Sequence, residues 1–287
     1  MTTSSEGTFG SRIVVAAFDG WNDAGEAASG AVEQLRQSGE YEPVFSVDPE
    51  LYFDYQYTRP VLKTSADGSR RLDWPEATLF RPTTPSEGPE LWLLAGVEPA
   101  RAWKAFVAEF LDVALREDIT GLVTLGSMMS DVPHTRPIAI SATSENRAVR
   151  EELALDSATY EGPVGILSVL QDAAESSGLP TASLWASVPH YVASQAPSPK
   201  ATLALIERLE LFTRAAVPHG SLPTEAAAWE ASVDAAAAED EEMREYIRLL
   251  EENCDAVDAP EASGDAIARA FEKYLNRDDR GKGDAKK

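Results

Sequence analysis

The stretch Ile13-Val14-Val15-Ala16-Ala17-Phe18-Asp19-Gly20-Trp21-Asn22-Asp23-Ala24-Gly25 limits what this chain can become. Its apolar opening, rich in β-branched residues, reads as a strand buried on both faces. Polar residues 19–23 interrupt the run. Helix formers follow, with apolar side chains at helical spacing: Ala24, Ala27, Ala28, Ala31, Val32 and Leu35. Strand, tight turn and helix open an α/β sheet, and in such sheets ligand crevices lie beyond the carboxyl ends of the strands. Asn22 or Asp23 can cap the helix, whose free amide groups also favour an anion.

Downstream, extended and helical signals alternate. Residues 42–47, 77–80, 90–95, 119–125, 137–141 and 181–188 read as extended. Residues 99–116, 163–177 and 199–216 read as helices, with Ser198 as a cap and Pro199 in the first turn. Asp67-Gly68 between residues 61–64 and 70–74 marks a hairpin. The aromatic run Tyr52, Phe53, Tyr55 and Tyr57 reads as a packed loop, or more sharply as a subunit interface. The alternation gives a three-layer α/β fold, a mainly parallel sheet with helices on both faces. Pro218, Gly220 and Pro223 punctuate a boundary, after which residues 224–252 read as one helix and 263–275 as its partner in a C-terminal helical hairpin. The expected plan is a disordered N-terminus over residues 1–11, an α/β domain over 12–218, an acidic helical extension over 222–278 and a charged tail over 279–287.

Charge narrows the partners. The 287 residues carry a formal charge of −23. Residues 222–278 alone hold 16 Asp and Glu against 5 Lys and Arg. Binding to nucleic acid or to an anionic membrane is disfavoured by such a surface, and the acidic stretch reads as a solvated helical face. No run of 18 apolar residues occurs, and the first residues lack the apolar segment of a secretion signal. The single cysteine, Cys254, leaves no disulfide framework and no cysteine-based zinc site. A soluble cytoplasmic protein is expected.

Candidate chemistry gathers after the strands. Asp19, Gly20, Trp21, Asn22 and Asp23 follow the first. Gly126, Ser127 and Met128, then His134, Thr135 and Arg136, follow the strand ending at Leu125. Gly162 and Pro163 precede a helix, and His190 and Tyr191 follow the strand ending at Val188. A hydrolase arrangement would use Ser127 as nucleophile, His134 or His190 as base and Asp19 or Asp23 as orienter, but Gly126-Ser127-Met128 lacks the second glycine of a nucleophile elbow. A metal reading from Asp19, Asp23, His134 and His190 has no local ligand spacing, so the histidines read as loop-shaping groups and no metal is expected. Arg136 offers a planar fork for a small anion, or a partner for Asp19 or Asp23. No phosphate-cradling glycine motif is present, and no cofactor is expected. Trp21 reads as a lid on the local core, or else as an exposed anchor.

Five segments carry a resemblance: residues 18–25, Leu125-Gly126-Ser127-Met128, Pro133-His134-Thr135-Arg136-Pro137, residues 160–166 and residues 185–192. Over residues 12–216 the chain resembles the PAC2 family of proteasome-assembly-chaperone-like proteins, in its longer actinobacterial form. The resemblance implies a phosphorylase/hydrolase-like α/β sandwich. It also implies a non-enzymatic assembly chaperone or scaffold, working as a homo-oligomer (three copies) on proteasome subunits or another protein client. The competing reading is an enzyme, a hydrolase or an ATP-dependent carboxylate–amine ligase, acting on a small anionic molecule in the strand-end crevice.

Overall fold

The computed structural model describes residues 7–85, 88–193 and 195–258. The sheet strands are β1 (Arg12–Asp19), β2 (Tyr41–Ser46), β5 (Ala77–Pro82), β6 (Glu90–Val97), β7 (Gly121–Ser130), β8 (Ile140–Thr143) and β9 (Thr181–Pro189), while β3 (Val61–Thr64) and β4 (Arg70–Asp73) form a separate ribbon. The helices are α1 (Ala27–Ser38), α2 (Pro49–Tyr52), α3 (Trp103–Arg116), α4 (Arg147–Leu153), α5 (Ile166–Ser176), α6 (Pro199–Thr213), α7 (Leu222–Ala238) and α8 (Glu241–Asp258).

The seven-stranded sheet runs β2-β5-β6-β1-β7-β9-β8, with β1 at its centre. The neighbours β6, β1, β7 and β9 are parallel. β5 and β8 run against them at either side, and β2, antiparallel to β5, returns to the direction of β1. The sheet is thus mostly parallel and mixed at its margins.

Alternation along β1 explains the apolar run. Ile13, Val15 and Ala17 join the core that holds α1 and α6. Val14, Ala16 and Phe18 join the core that holds α3 and α5. Successive side chains of a strand point to opposite faces, so a strand covered on both sides has no place for a polar residue. On the second face Phe106 of α3 packs edge-on against Phe18 and Tyr52, with ring centres 5.9 and 5.6 Å away. Leu222 and Val233 of α7 extend the first core outward.

Several boundaries differ from the sequence reading. The helix expected from residue 99 begins at Trp103, after Ala102 in the left-handed region (φ 55°), so Glu98 stays in a loop at the end of β6. The helix expected from residue 163 begins at Ile166. The strand expected to stop at Leu125 runs on to Ser130 because β9 pairs with it as far as Pro189. The extended piece placed at 137–141 is β8, antiparallel to β9. Ser198 sits at the start of α6, yet its hydroxyl makes no capping bond. Residues 224–252 are two helices: the Asp240 carboxylate accepts from the amides of Glu242 (2.9 Å) and Met243 (3.2 Å), starting α8 without any Gly or Pro. The C-terminal helices seen are therefore α7 and α8; the partner helix expected at 263–275, the tail and most of the N-terminal segment lie outside the described residues. In the aromatic run Tyr52 and Phe53 are buried, Tyr55 packs on Trp74 and Tyr57 is exposed.

Phe106→Ala removes the ring that joins β1, α2 and α3, and is expected to cost about 3–5 kcal/mol in urea unfolding. A loss near zero would show that this face of the sheet is not closed by Phe106.

Candidate functional site

Beyond the carboxyl ends of β1 and β6, and alongside the last residues of β7, the chain forms a polar cluster around Asn22 and Glu98. The Ser127 amide donates to the Asn22 carbonyl (2.8 Å) and the Ser127 hydroxyl to the Ala24 carbonyl (2.8 Å), tying the first turn to β7. Glu98 Oε1 accepts from Asn22 Nδ2 (3.0 Å) and from the amide of Ile166 (2.9 Å), the first residue of α5. A carboxylate at a helix start is favoured by the free amides and the dipole there. Gly165 is what permits the approach: a Cβ there would lie 2.4 Å from Asn22 Nδ2. Glu98 was missed by sequence reasoning. It follows an apolar strand just as the chosen candidates do, but Glu98-Pro99 looked like a helix start.

Asp23 is the cap of α1, reached across the 3-10 turn Ala24–Glu26. Its Oδ1 accepts from the amides of Ala28 (2.8 Å) and Ser29 (3.1 Å). Oδ2 is buried with no hydrogen-bond partner among the described residues. Burial pushes the Asp23 carboxyl above its ordinary 3.8, against the opposing effect of the Ser29 and Ala28 hydrogen bonds.

A second network lies past β7 and β9. Tyr191 accepts from the His134 amide (2.7 Å), and its hydroxyl meets His134 Nδ1 (2.8 Å). His134 Nε2 meets Asp234 of α7 at 3.1 Å. The self-consistent assignment has Tyr191 donating to Nδ1 and Nε2–H donating to Asp234. Burial pushes the Tyr191 phenol up to about 12. Lys200 of α6 donates to the His134 carbonyl and to Glu230 of α7, each at 2.5 Å. Thr135 donates to Glu251, and Arg136 holds Asp255 through two bonds of 2.8 Å, with Glu251 at 3.3 Å. Arg136 holds the Asp255 carboxyl below the usual carboxylate range. His190 Nδ1 lies 3.3 Å from Asp131.

These contacts sort the candidates. Asp23, Asn22 and Ser127 come together in one network, and His134, Thr135, Arg136, His190 and Tyr191 in another. The triad geometry does not form: Ser127 is 1% exposed, lies inside β7 rather than after it, and donates to a carbonyl, while both ring nitrogens of His134 are engaged elsewhere. Arg136 pairs with the acids of α8, not with Asp19 or Asp23, so part of the acidic stretch read as solvated is a binding face for this loop. Trp21 is no lid; it is 68% exposed. Gly20 (φ 141°) makes the turn out of β1, and Tyr160 donates to the Pro163 carbonyl at 3.0 Å. A cleft of about 110 Å³ lies between Tyr191 and α7, and an open furrow of about 730 Å³ follows one face of α8. The first is smaller than the roughly 300 Å³ of an ordinary small-molecule pocket. Among the described residues no group of His, Cys, Asp and Glu is placed to hold a metal ion, and no helix is long and apolar enough to cross a membrane.

The model of the PAC2 family matches residues 17–237. The chain belongs to the PAC2 family. Its match runs past the α/β body and ends within α7. A PAC2 family protein from Streptomyces avermitilis is 40% identical, with 82% of this chain and 99% of that one covered and a TM-score of 0.76. A Mycobacterium tuberculosis proteasome-assembly chaperone homologue is 41% identical over 82% of this chain and 99% of that one, with a TM-score of 0.74. An archaeal proteasome activator from Pyrococcus furiosus, 13% identical over 78% of this chain and 93% of that one, shares the fold at a TM-score of 0.61. No curated protein matches the chain.

Two measurements probe the networks. A carboxyl that holds its proton more tightly in the native than in the unfolded chain loses stability as pH rises above the ordinary value. Asp23→Asn keeps an acceptor for Ala28 and Ser29 but cannot ionise. Urea titrations from about pH 4 to about pH 7 should therefore move the stability difference toward Asp23→Asn as pH rises; parallel curves would show the native carboxyl to be unperturbed. Arg136→Ala should loosen α8, read as limited proteolysis within residues 241–258 several times faster than in the native chain, with the melting of the α/β body little changed.

Proposed function

We propose that this PAC2 protein is an assembly chaperone or scaffold that catalyses no reaction. It works in the cytoplasm as a homo-oligomer of three copies and holds protein clients, proteasome subunits foremost. Residues 12–218 are its working α/β domain, and the acidic helices beyond brace the loop after β7. One observation carries the reading. Asn22, Ser127, His134, Thr135 and Arg136 of the strand-end segments are spent on one another's neighbours and on α7 and α8, whereas large apolar side chains of the same segments (Trp21, Met128, Met129, Tyr160 and Val164) stand exposed. Exposed apolar groups in that density mark surfaces that meet other proteins. The likeness to the Mycobacterium tuberculosis chaperone homologue supports the choice of client.

Purified chain mixed with purified proteasome α-subunits is expected to give a stoichiometric complex by native mass spectrometry. The complex should persist in Ser127→Ala and His190→Ala. Failure to bind the subunits, together with turnover of a small carboxylate or ester that those substitutions abolish, would overturn the proposal in favour of an enzyme.

A further inference from the structure

The β3–β4 ribbon has no cover. Its strands pair only with each other, Leu62 opposite Leu72 and Lys63 opposite Arg71. Leu62 and Leu72 therefore share one face, and they are 47% and 52% exposed. An isolated two-stranded hairpin is marginal in water, so a ribbon of this kind is held by something packed on it. The ribbon is also the basic part of an acidic chain. Residues 59–74 carry Arg59, Lys63, Arg70 and Arg71 against Asp67 and Asp73, while the whole chain stands at −23.

The rim around Asn22 has the complementary character. Trp21 adjoins Asn22 in sequence, Val164 adjoins the Gly165 that abuts the Asn22 side chain, and Met128 adjoins the Ser127 that binds its carbonyl. These three exposed side chains are thus immediate sequence neighbours of Asn22 or of residues that touch it. Exposed acids flank them at Asp19, Asp131 and Glu161. Methionines adapt their shape to what packs on them, which suits a docking surface. Within one copy, no hydrogen bond or ion pair links ribbon and rim among the described residues.

We propose that the ribbon of one copy docks on the Asn22 rim of a second copy, its leucine face against Trp21 and Met128 and Arg70, which shares that face, toward the flanking acids. The contact joins two different patches, so it is heterologous, and copies joined this way close into a ring if the rotation between them allows. The proposal rests on the homo-oligomer reading above and assigns its interface.

The test uses full-length chains, with mass measured by light scattering and native mass spectrometry. Leu72→Glu damages the ribbon and Met128→Glu the rim; both positions are exposed, and unchanged circular dichroism confirms folding. Each variant alone is expected to self-associate at least roughly tenfold more weakly, as loss of a central apolar contact does. An equimolar mixture of the two should recover mixed dimers, because an intact ribbon then meets an intact rim. Wild-type assembly by Met128→Glu, as a ribbon-to-ribbon contact would give, overturns the assignment and leaves the oligomer reading standing. A native chain that is monomeric at tens of micromolar, on the order of ordinary assay concentrations, sinks the oligomer reading itself.

Discussion

Burial of β1 on both faces is the constraint on which the remaining structure depends. Six residues from Ile13 to Phe18, none more than 1% exposed, divide alternately between two cores. At roughly 25 cal/mol per Å² of apolar surface removed from water, a central strand covered this completely contributes several kcal/mol on each side. It needs helices above and below and parallel neighbours to left and right. Its exit is fixed with equal firmness. Asp23 caps α1, and Ser127 holds the turn with two hydrogen bonds, so the chain leaves the sheet in one direction only.

The layered fold was legible because it rests on periodicity. The strands and helices expected between residues 12 and 216 appear close to where their patterns place them, and the Asp67-Gly68 hairpin forms where its turn chemistry requires. Boundaries were less legible where tertiary pairing outweighed local pattern. β7 continues through Gly126 and Ser127 because β9 supplies hydrogen bonds that no local signal announces. The helix break at Asp240 was invisible because Asp reads as an ordinary member of an acidic helix until its carboxylate turns back to cap one.

The site was legible by position and not by partnership. Asn22 and Asp23 lie past the end of β1, His134 to Arg136 past β7 and His190 and Tyr191 past β9, whereas Gly126 to Met128 lie within β7. What they touch depends on segments far along the chain: Asp234, Glu251 and Asp255 lie 100 or more residues beyond the loop they hold. A charge count sees those acids as surplus. Glu98 escaped for the opposite reason, since its neighbour Pro99 invited a helix that starts only at Trp103.

Glu98 also has a mechanical meaning. One carboxylate accepts hydrogen bonds from Asn22 in the turn after β1 and from the first amide of α5, while the Glu98 amide donates to the Asp19 carbonyl. Three segments distant in sequence are thus pinned at a single point, as spokes are at a hub. None can swing independently, so whatever presses on Trp21 meets a stiff plate rather than a set of separate fingers, and little ordering entropy is left to lose when something lands on it.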